Sequence, residues 1–236
     1  MISNNFIDKR RSVRNYTDKL QDVLYGKLMD YISNSLIPLF DYIKYEIKVV
    51  DADKVRTSKV KAPNYILFYS ENKQGKELNA GFIMQQIDLF LQSNGAGSCW
   101  LGLASPLIQS DKGYQYIILL SAGMTDKPLR EGAGDFKRKT LDEAGDLSDK
   151  DLLQAVRLAP SAVNCQPWYY KEREKDIVDV YLVRKILHKA ILKRYDKIDI
   201  GISLYHLVLA LKDKGKNYMV ITPKNEKNCI VSIKLI

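Results

Sequence analysis

Disulfide and metal chemistry have little to work with in this chain. Its 236 residues hold three cysteines, Cys99, Cys165 and Cys229, and only two histidines. The cysteines are odd in number and widely spaced, which gives neither a disulfide framework nor a zinc-type pattern, so no metal site is expected. No apolar run approaches the roughly 18 residues of a membrane helix, and no membrane contact is expected. The opening MISNNFIDKRRSVRNY lacks the apolar core of a secretory signal, which makes a reducing cytoplasm the expected location. The glycine patterns GxxxxGK and GxGxxG are missing. So are a Ser-His-Asp arrangement and a carboxylate pair at a meaningful spacing.

What is present is a globular composition, 46% hydrophobic and 28% charged, long enough for one large domain or two small ones. The net charge of +9 comes from lysines scattered along the chain rather than from a basic tail. A solvated lysine-rich surface, a phosphorylated small ligand and nucleic acid would each account for it.

Periodicity organises the chain. Residues 19–32 place Leu20, Val23, Leu24, Leu28, Tyr31 and Ile32 on one helical stripe. Residues 42–50 alternate and read as a half-buried strand, as do 64–70. NAGFIMQQIDLFLQSNG (79–95) is apolar almost all round, the pattern of a buried helix. Residues 113–123 read as a fully buried strand. The stretch 126–146 mixes proline, glycine and both charges without a period and reads as a linker. Beyond it come a helix over 149–159, strands around 169–173 and 176–184, a second buried helix over 199–215, and strands at 217–222 and 228–236.

The two buried helices superpose without a gap at an offset of 120 residues, matching Gly81 with Gly201, Leu89 with Leu209, Leu91 with Leu211 and Gly95 with Gly215. Together with the repeated order of elements, this suggests two copies of one unit, 1–125 and 147–236, joined by 126–146 and facing across a pseudo-two-fold axis. One irregular α+β domain with two core helices remains the alternative.

Three stretches carry groups suited to a ligand. KRRSVRNY (9–16) puts three arginines and a serine within five positions. Arginine forks suit phosphate oxygens, although a solvated basic arm would look the same. PSAVNCQPW (160–168) supplies Ser161, Asn164 and Gln166 between two prolines, which suits a polyhydroxyl chain or an imide edge and equally suits a helix-ending turn. GAGSCWLG (95–102) is a glycine-rich exit from a helix where backbone amides can approach a ligand, with Trp100 also readable as core. Cys165 has no evident base partner and reads as a small buried residue rather than a nucleophile.

Taken together, these stretches resemble the nitroreductase family of flavoproteins. Arg10-Arg11-Ser12-Val13-Arg14 matches its arginine motif. Ala159-Pro160-Ser161, Asn164 and Gln166-Pro167-Trp168 match its APSxxNxQPW motif, and 95–102 match the end of its central helix. The resemblance implies an α+β nitroreductase-like fold, FMN as cofactor, NADH or NADPH as donor, and ping-pong transfer to a nitroaromatic, quinone or similar small-molecule acceptor. It implies that Arg10 and Ser12 hold the phosphate and ribityl chain with help from Arg11, and that Arg14 lies near flavin N1/O2 as the catalytic cation. Leu101 and Gly102 would offer backbone amides near N5 and O4. Lys137 or Arg138 would close over the phosphate.

The departure from the family is the split of its motifs. The second motif should follow the first by about 30 residues in the family pattern, but that place reads YISNSLIPLFDYI (31–43). Pro160, Ser161, Asn164 and Gln166 instead stand in the second half, from which they would reach across. The chain is therefore similar to a branch of internally duplicated nitroreductase-like proteins: a dimer fused into one chain, monomeric, with one flavin site kept. A non-catalytic flavin-binding protein and a basic nucleic-acid-binding protein are the other readings.

Overall fold

The computed structural model describes residues 6–57, 59–184 and 190–236. The chain divides into two units, Lys9–Arg130 and Glu131–Ile236, with the stretch before Lys9 grouped with the second.

In the first unit, α1 (Asp22–Asn34) buries Leu24 and Leu28, and Leu20 just before it continues the same row at i−4. Val23, assigned to that stripe from the sequence, lies a residue off the row and is 73% exposed. Strands β1 (Tyr45–Asp51), β2 (Val55–Arg56) and β3 (Asn64–Ser70) follow. Then come α2 (Lys76–Ser93), β4 (Ala96–Trp100), β5 (Ser105–Pro106) and β6 (Gln115–Met124). The main sheet runs β1-β3-β6-β4, antiparallel throughout, while β2 pairs with β5 apart from it.

The half-buried reading of 64–70 is corrected here: all seven residues of β3 are buried. Tyr65, Leu67 and Tyr69 pack on one face with Val55, Val60, Ala62, Leu101 and Ala104, brought there by the segments around β2 and β5. Strand alternation turns Ile66 and Phe68 to the opposite face, where α2 packs. The stretch 95–102 is likewise more regular than a loose helix exit. Only Gly95, at φ 81°, is left-handed, and 96–100 form the edge strand β4.

The second unit holds α3 (Leu141–Ala144), β7 (Gly145–Asp146), α4 (Lys150–Arg157), β8 (Trp168–Glu174) and β9 (Ile177–Leu182). It ends with α5 (Asp196–Asp213), β10 (Tyr218–Ile221) and β11 (Cys229–Leu235). Its sheet runs β10-β11-β9-β8-β7. The latter part of the expected linker is therefore folded. Thr140 and Glu143 form a reciprocal cap on α3, and β7 pairs in parallel with β8.

Setting β7 aside, the two sheets share one plan. In each, a helix precedes two antiparallel strands, a buried helix follows, and the last two strands pair so that the final one lies inside: β1-β3-β6-β4 and β8-β9-β11-β10. Helices α2 and α5 are each 18 residues long, start and end 120 positions apart, and are followed by glycines at φ 81° and 69°. Among the described residues no helix is long and apolar enough to cross a membrane.

Gly145 is the tightest point of the second sheet, since a Cβ there would lie 2.2 Å from the Tyr170 carbonyl oxygen. Gly145→Ala is expected to break the β7–β8 pairing and to cost about 3 kcal/mol, at the upper end of overpacking penalties. Urea denaturation of the full chain measures it; an unchanged midpoint would show that the strand yields freely.

Candidate functional site

The arginine segment of the first unit is stitched down by polar groups from α2 and β4. Asp88, in the middle of α2, is fully buried and accepts from Arg10 Nε at 2.6 Å. Its other oxygen accepts from Ser98 Oγ at 2.5 Å and from Gln92 Nε2 at 3.1 Å. Gln92 Oε1 in turn accepts from the Arg11 amide at 2.8 Å, and the Val13 amide donates to the Ser98 carbonyl at 2.9 Å. Gly97 must lack a side chain, because a Cβ would stand 2.6 Å from Val13 Cγ1.

These contacts dispose of the arginines unequally. Arg10 is buried, with Nε on Asp88 and Nη2 on Ser12 Oγ at 3.3 Å. Its Nη1 has no hydrogen-bond partner among the described residues. Arg11 donates from Nη1 to the Pro128 carbonyl at 2.7 Å. Arg14 is exposed, and its guanidinium has no hydrogen-bond or ion-pair partner among the described residues. Burial pushes the nearby Cys99 thiol up, and the Arg14 and Arg10 charges oppose that rise. One expectation is corrected. The Leu101 amide, assigned to a ligand, donates to the Leu119 carbonyl at 3.1 Å, continuing the β4–β6 pairing. Gly102 follows it in the turn.

The second unit carries the other motif on a strained loop. Val163, Asn164 and Gln166 have φ of 44°, 61° and 49°. A β-branched residue in that region is an outlier, and each such residue costs about 1–3 kcal/mol. Val163 is also 77% exposed, so no burial of its side chain offsets the strain. Pro160 and Pro167 are buried at the two ends. Inside the loop Ser161 Oγ accepts from the Gln166 amide at 2.9 Å.

The polar edges of that loop are engaged by residues 137–139. Asn164 Oδ1 accepts from Arg138 Nη1 at 2.6 Å, and its Nδ2 donates to the Lys137 carbonyl at 2.7 Å. Gln166 Oε1 accepts from the Lys139 amide at 3.0 Å, and Lys139 Nζ donates to the Gln166 carbonyl at 3.2 Å and to the Trp168 carbonyl. Arg138 also donates from Nη2 to the Leu158 carbonyl and lies over the Phe136 ring. The structure thus brings Arg138 together with Asn164, and it adds Lys139 to the cluster.

Beneath the loop lies Asp199, buried in the first turns of α5. Both its oxygens accept from the Ala162 amide, at 3.1 and 3.0 Å, and Cys165 Sγ stands 3.6 Å from Oδ2. Burial pushes the Asp199 carboxyl well above the usual carboxylate range, against the pull of these hydrogen bonds. Burial, together with the Asp199 charge, pushes the Cys165 thiol up to about 12, so it is an inert thiol at neutral pH.

Sequence reading missed Asp88, Gln92, Ser98, Lys139 and Asp199. For Asp88, Gln92 and Asp199 the available signal was a carboxylate or amide within a largely apolar helix, which must find a partner when buried; Ser98 and Lys139 carried no such signal. Among the described residues, no group of three or more His, Cys, Asp and Glu side chains could hold a metal ion.

The sequence matches a family model described as Putative TM nitroreductase over residues 4–211. No curated protein matches. Among solved structures the chain is similar to one from Thermotoga maritima MSB8 described as a putative nitroreductase. That likeness has 20% identity and a TM-score of 0.68, over 100% of this chain and 94% of the other. A nitroreductase family protein from Clostridium difficile 630 is similar at 20% identity and TM-score 0.50, over 63% of this chain and 99% of its own. At these identities the likeness is one of fold.

Removing Asp88 would leave the Arg10 cation buried without its partner. Asp88→Ala is expected to cost about 3–5 kcal/mol in denaturant unfolding of the full chain. Asp88→Asn, which keeps an acceptor, is expected to cost less. Equal losses for the two would mean that packing rather than charge holds the segment.

Proposed function

The chain belongs to the family described as Putative TM nitroreductase, and on that premise we propose that it is an FMN-dependent oxidoreductase. It takes electrons from NADH or NADPH and passes them to a nitroaromatic, quinone or similar small acceptor. The observation that carries this reading is a built cationic segment with one guanidinium, that of Arg14, left without a partner among the described residues. Such a segment suits an anionic ligand whose charge grows during the reaction.

The residues present fit FMN, with a division of labour different from a uniform arginine cluster. Arg10 is fixed by Asp88 and offers Nη1 and the second N–H of Nη2, Ser12 offers its hydroxyl, and Arg14 offers a whole fork. In the second unit Ser161 retains its hydroxyl proton after accepting from Gln166. Asn164, Gln166 and Arg138 would bind by exchanging the hydrogen bonds they make to one another and to residues 137–139. Bound FMN supplies two-electron chemistry with donor and acceptor in turn, which is the ping-pong pattern. This chain's task in the first unit is to hold the phosphate and ribityl groups with Arg10 and Ser12, and to offset the charge of reduction with Arg14.

The same reading makes the chain an internal duplication that works as a monomer with one FMN. Support comes from the shared strand order and from two 18-residue helices displaced by 120 positions. In the first unit, the segment corresponding to the second motif offers Ile37, Leu39 and Phe40, and the Phe40 ring lies against Gly75. None of these side chains can hydrogen-bond a ribityl chain.

Released FMN measured against protein is expected at one per chain, with light scattering giving a monomer. Two per chain, or a flavin lost only on dissociation of a dimer, would overturn the duplication. Arg14→Ala is expected to keep the flavin while its reduction by NADH or NADPH slows about 10- to 100-fold, the worth of one charge-assisted hydrogen bond. Normal reduction in that variant would remove Arg14 from the reaction. A protein with no visible flavin band, which neither takes up added FMN nor oxidises NADH or NADPH with a quinone, would end the enzyme reading.

A further inference from the structure

Asp199 is a costly residue for the place it occupies. Helix α5 is buried from Ile198 to Leu211, and a hydrophobic side chain would sit there without penalty. No cation pairs with Asp199 among the described residues, whereas Asp196, one turn earlier, takes Arg184 Nε at 2.6 Å. What Asp199 holds instead is the backbone of the strained loop: the Ala162 amide on both oxygens, with Cys165 alongside. Its grip falls immediately before Val163 and Asn164, two of the three non-glycine residues at positive φ in the loop.

The first unit contains a control for this arrangement. Asn79 stands 120 positions earlier, at the same place in α2, and is also buried. Its Oδ1 accepts from the Leu39 and Phe40 amides at 2.8 and 3.1 Å, and its Nδ2 donates to the Phe40 carbonyl at 3.2 Å. No residue from Leu36 to Asp41 has positive φ. A side-chain amide thus holds a relaxed segment in one unit, and a carboxyl group holds the strained one in the other. Both use an acceptor oxygen on the buried helix to catch backbone N–H groups after the preceding helix.

We propose that Asp199 is a positioning residue, which clamps the 160–166 loop in the strained conformation that presents Ser161 to the cofactor and sets Asn164 and Gln166 against residues 137–139. This rests on the reading that the loop serves FMN, but the clamp itself is a property of the chain without ligand. Its logic is preorganisation. A loop held in its binding conformation by the scaffold spends less of the ligand's binding energy on ordering.

The test uses the full chain and three variants: Asp199→Ala, Asp199→Asn, and Ala162→Pro. The last deletes the N–H from the loop side, at the first residue of a short 3-10 turn where proline is compatible. Hydrogen exchange of the FMN-free protein reads the clamp, and quenching of FMN fluorescence on titration reads binding. Asp199→Ala and Ala162→Pro are each expected to speed exchange across 163–166 while leaving α5 and β8–β9 protected. Both are expected to weaken FMN about tenfold, the worth of one buried hydrogen bond. Asp199→Asn, which copies Asn79, is expected to restore loop protection and to bind FMN within about threefold of the parent.

Loop exchange that does not change in Asp199→Ala overturns the clamp. So does a loss of protection spread evenly over the second unit, which would mark a general packing role. If Asp199→Ala does not fold, Ala162→Pro and Asp199→Asn decide by the same readings. A parent chain that binds no FMN would sink the cofactor reading, while the exchange pattern would still pass or fail the clamp.

Discussion

A polar side chain on a helix buried on every side has to be satisfied by something other than water, and that constraint shapes both units. In α2, Asn79, Gln86, Asp88 and Gln92 reach out to the segment after α1 and to the arginine segment. In α5, Asp199 takes the loop after α4, and His206 Nδ1 meets the Ala155 carbonyl at 3.1 Å. The bonds from Asn79, Gln86, Asp88, Gln92 and Asp199 tie irregular stretches to the buried helix of their unit, whereas that of His206 meets α4. The motif residues gain their geometry from these ties rather than from their own conformational preferences, several of which the loop violates.

Periodicity carried the helices and strands because one period dominates each long segment. It failed where a second layer decides burial. Alternation over 64–70 says that one face is apolar, and only the packing of Val55, Val60, Ala62, Leu101 and Ala104 over the other face buries Tyr65 and Tyr69. It failed again at 141–146, where a four-residue helix and a two-residue strand are too short to show any period. Val23 was placed on a stripe by hydrophobicity although its angular position lies outside the row of Leu20, Leu24 and Leu28.

The motifs were visible as clusters of residue types, but their partners were not. Arg10 and Asp88 are 78 positions apart, and no spacing rule connects them. The Leu101 amide illustrates the converse: a glycine-rich stretch suggests free backbone donors, yet strand pairing had already claimed this one. The chemistry of a side chain can be read from its letter, whereas its availability depends on which neighbours reach it first.

Anchoring through main-chain amides has an evolutionary corollary. Asn79 grips Leu39 and Phe40 by groups that every residue except proline possesses, so it exerts no selection on their side chains. Once a second copy of a unit is present, such a loop is free to drift: its letters can change wholesale while its path over the helix is kept. Under the proposed duplication, the hydrophobic Leu-Ile-Pro-Leu-Phe run and the polar Pro-Ser-Ala-Val-Asn run would descend from one ancestor without any loss of fold along the way. An amide or a carboxylate retained on the buried helix would be the more durable trace of common origin than the motif it once served.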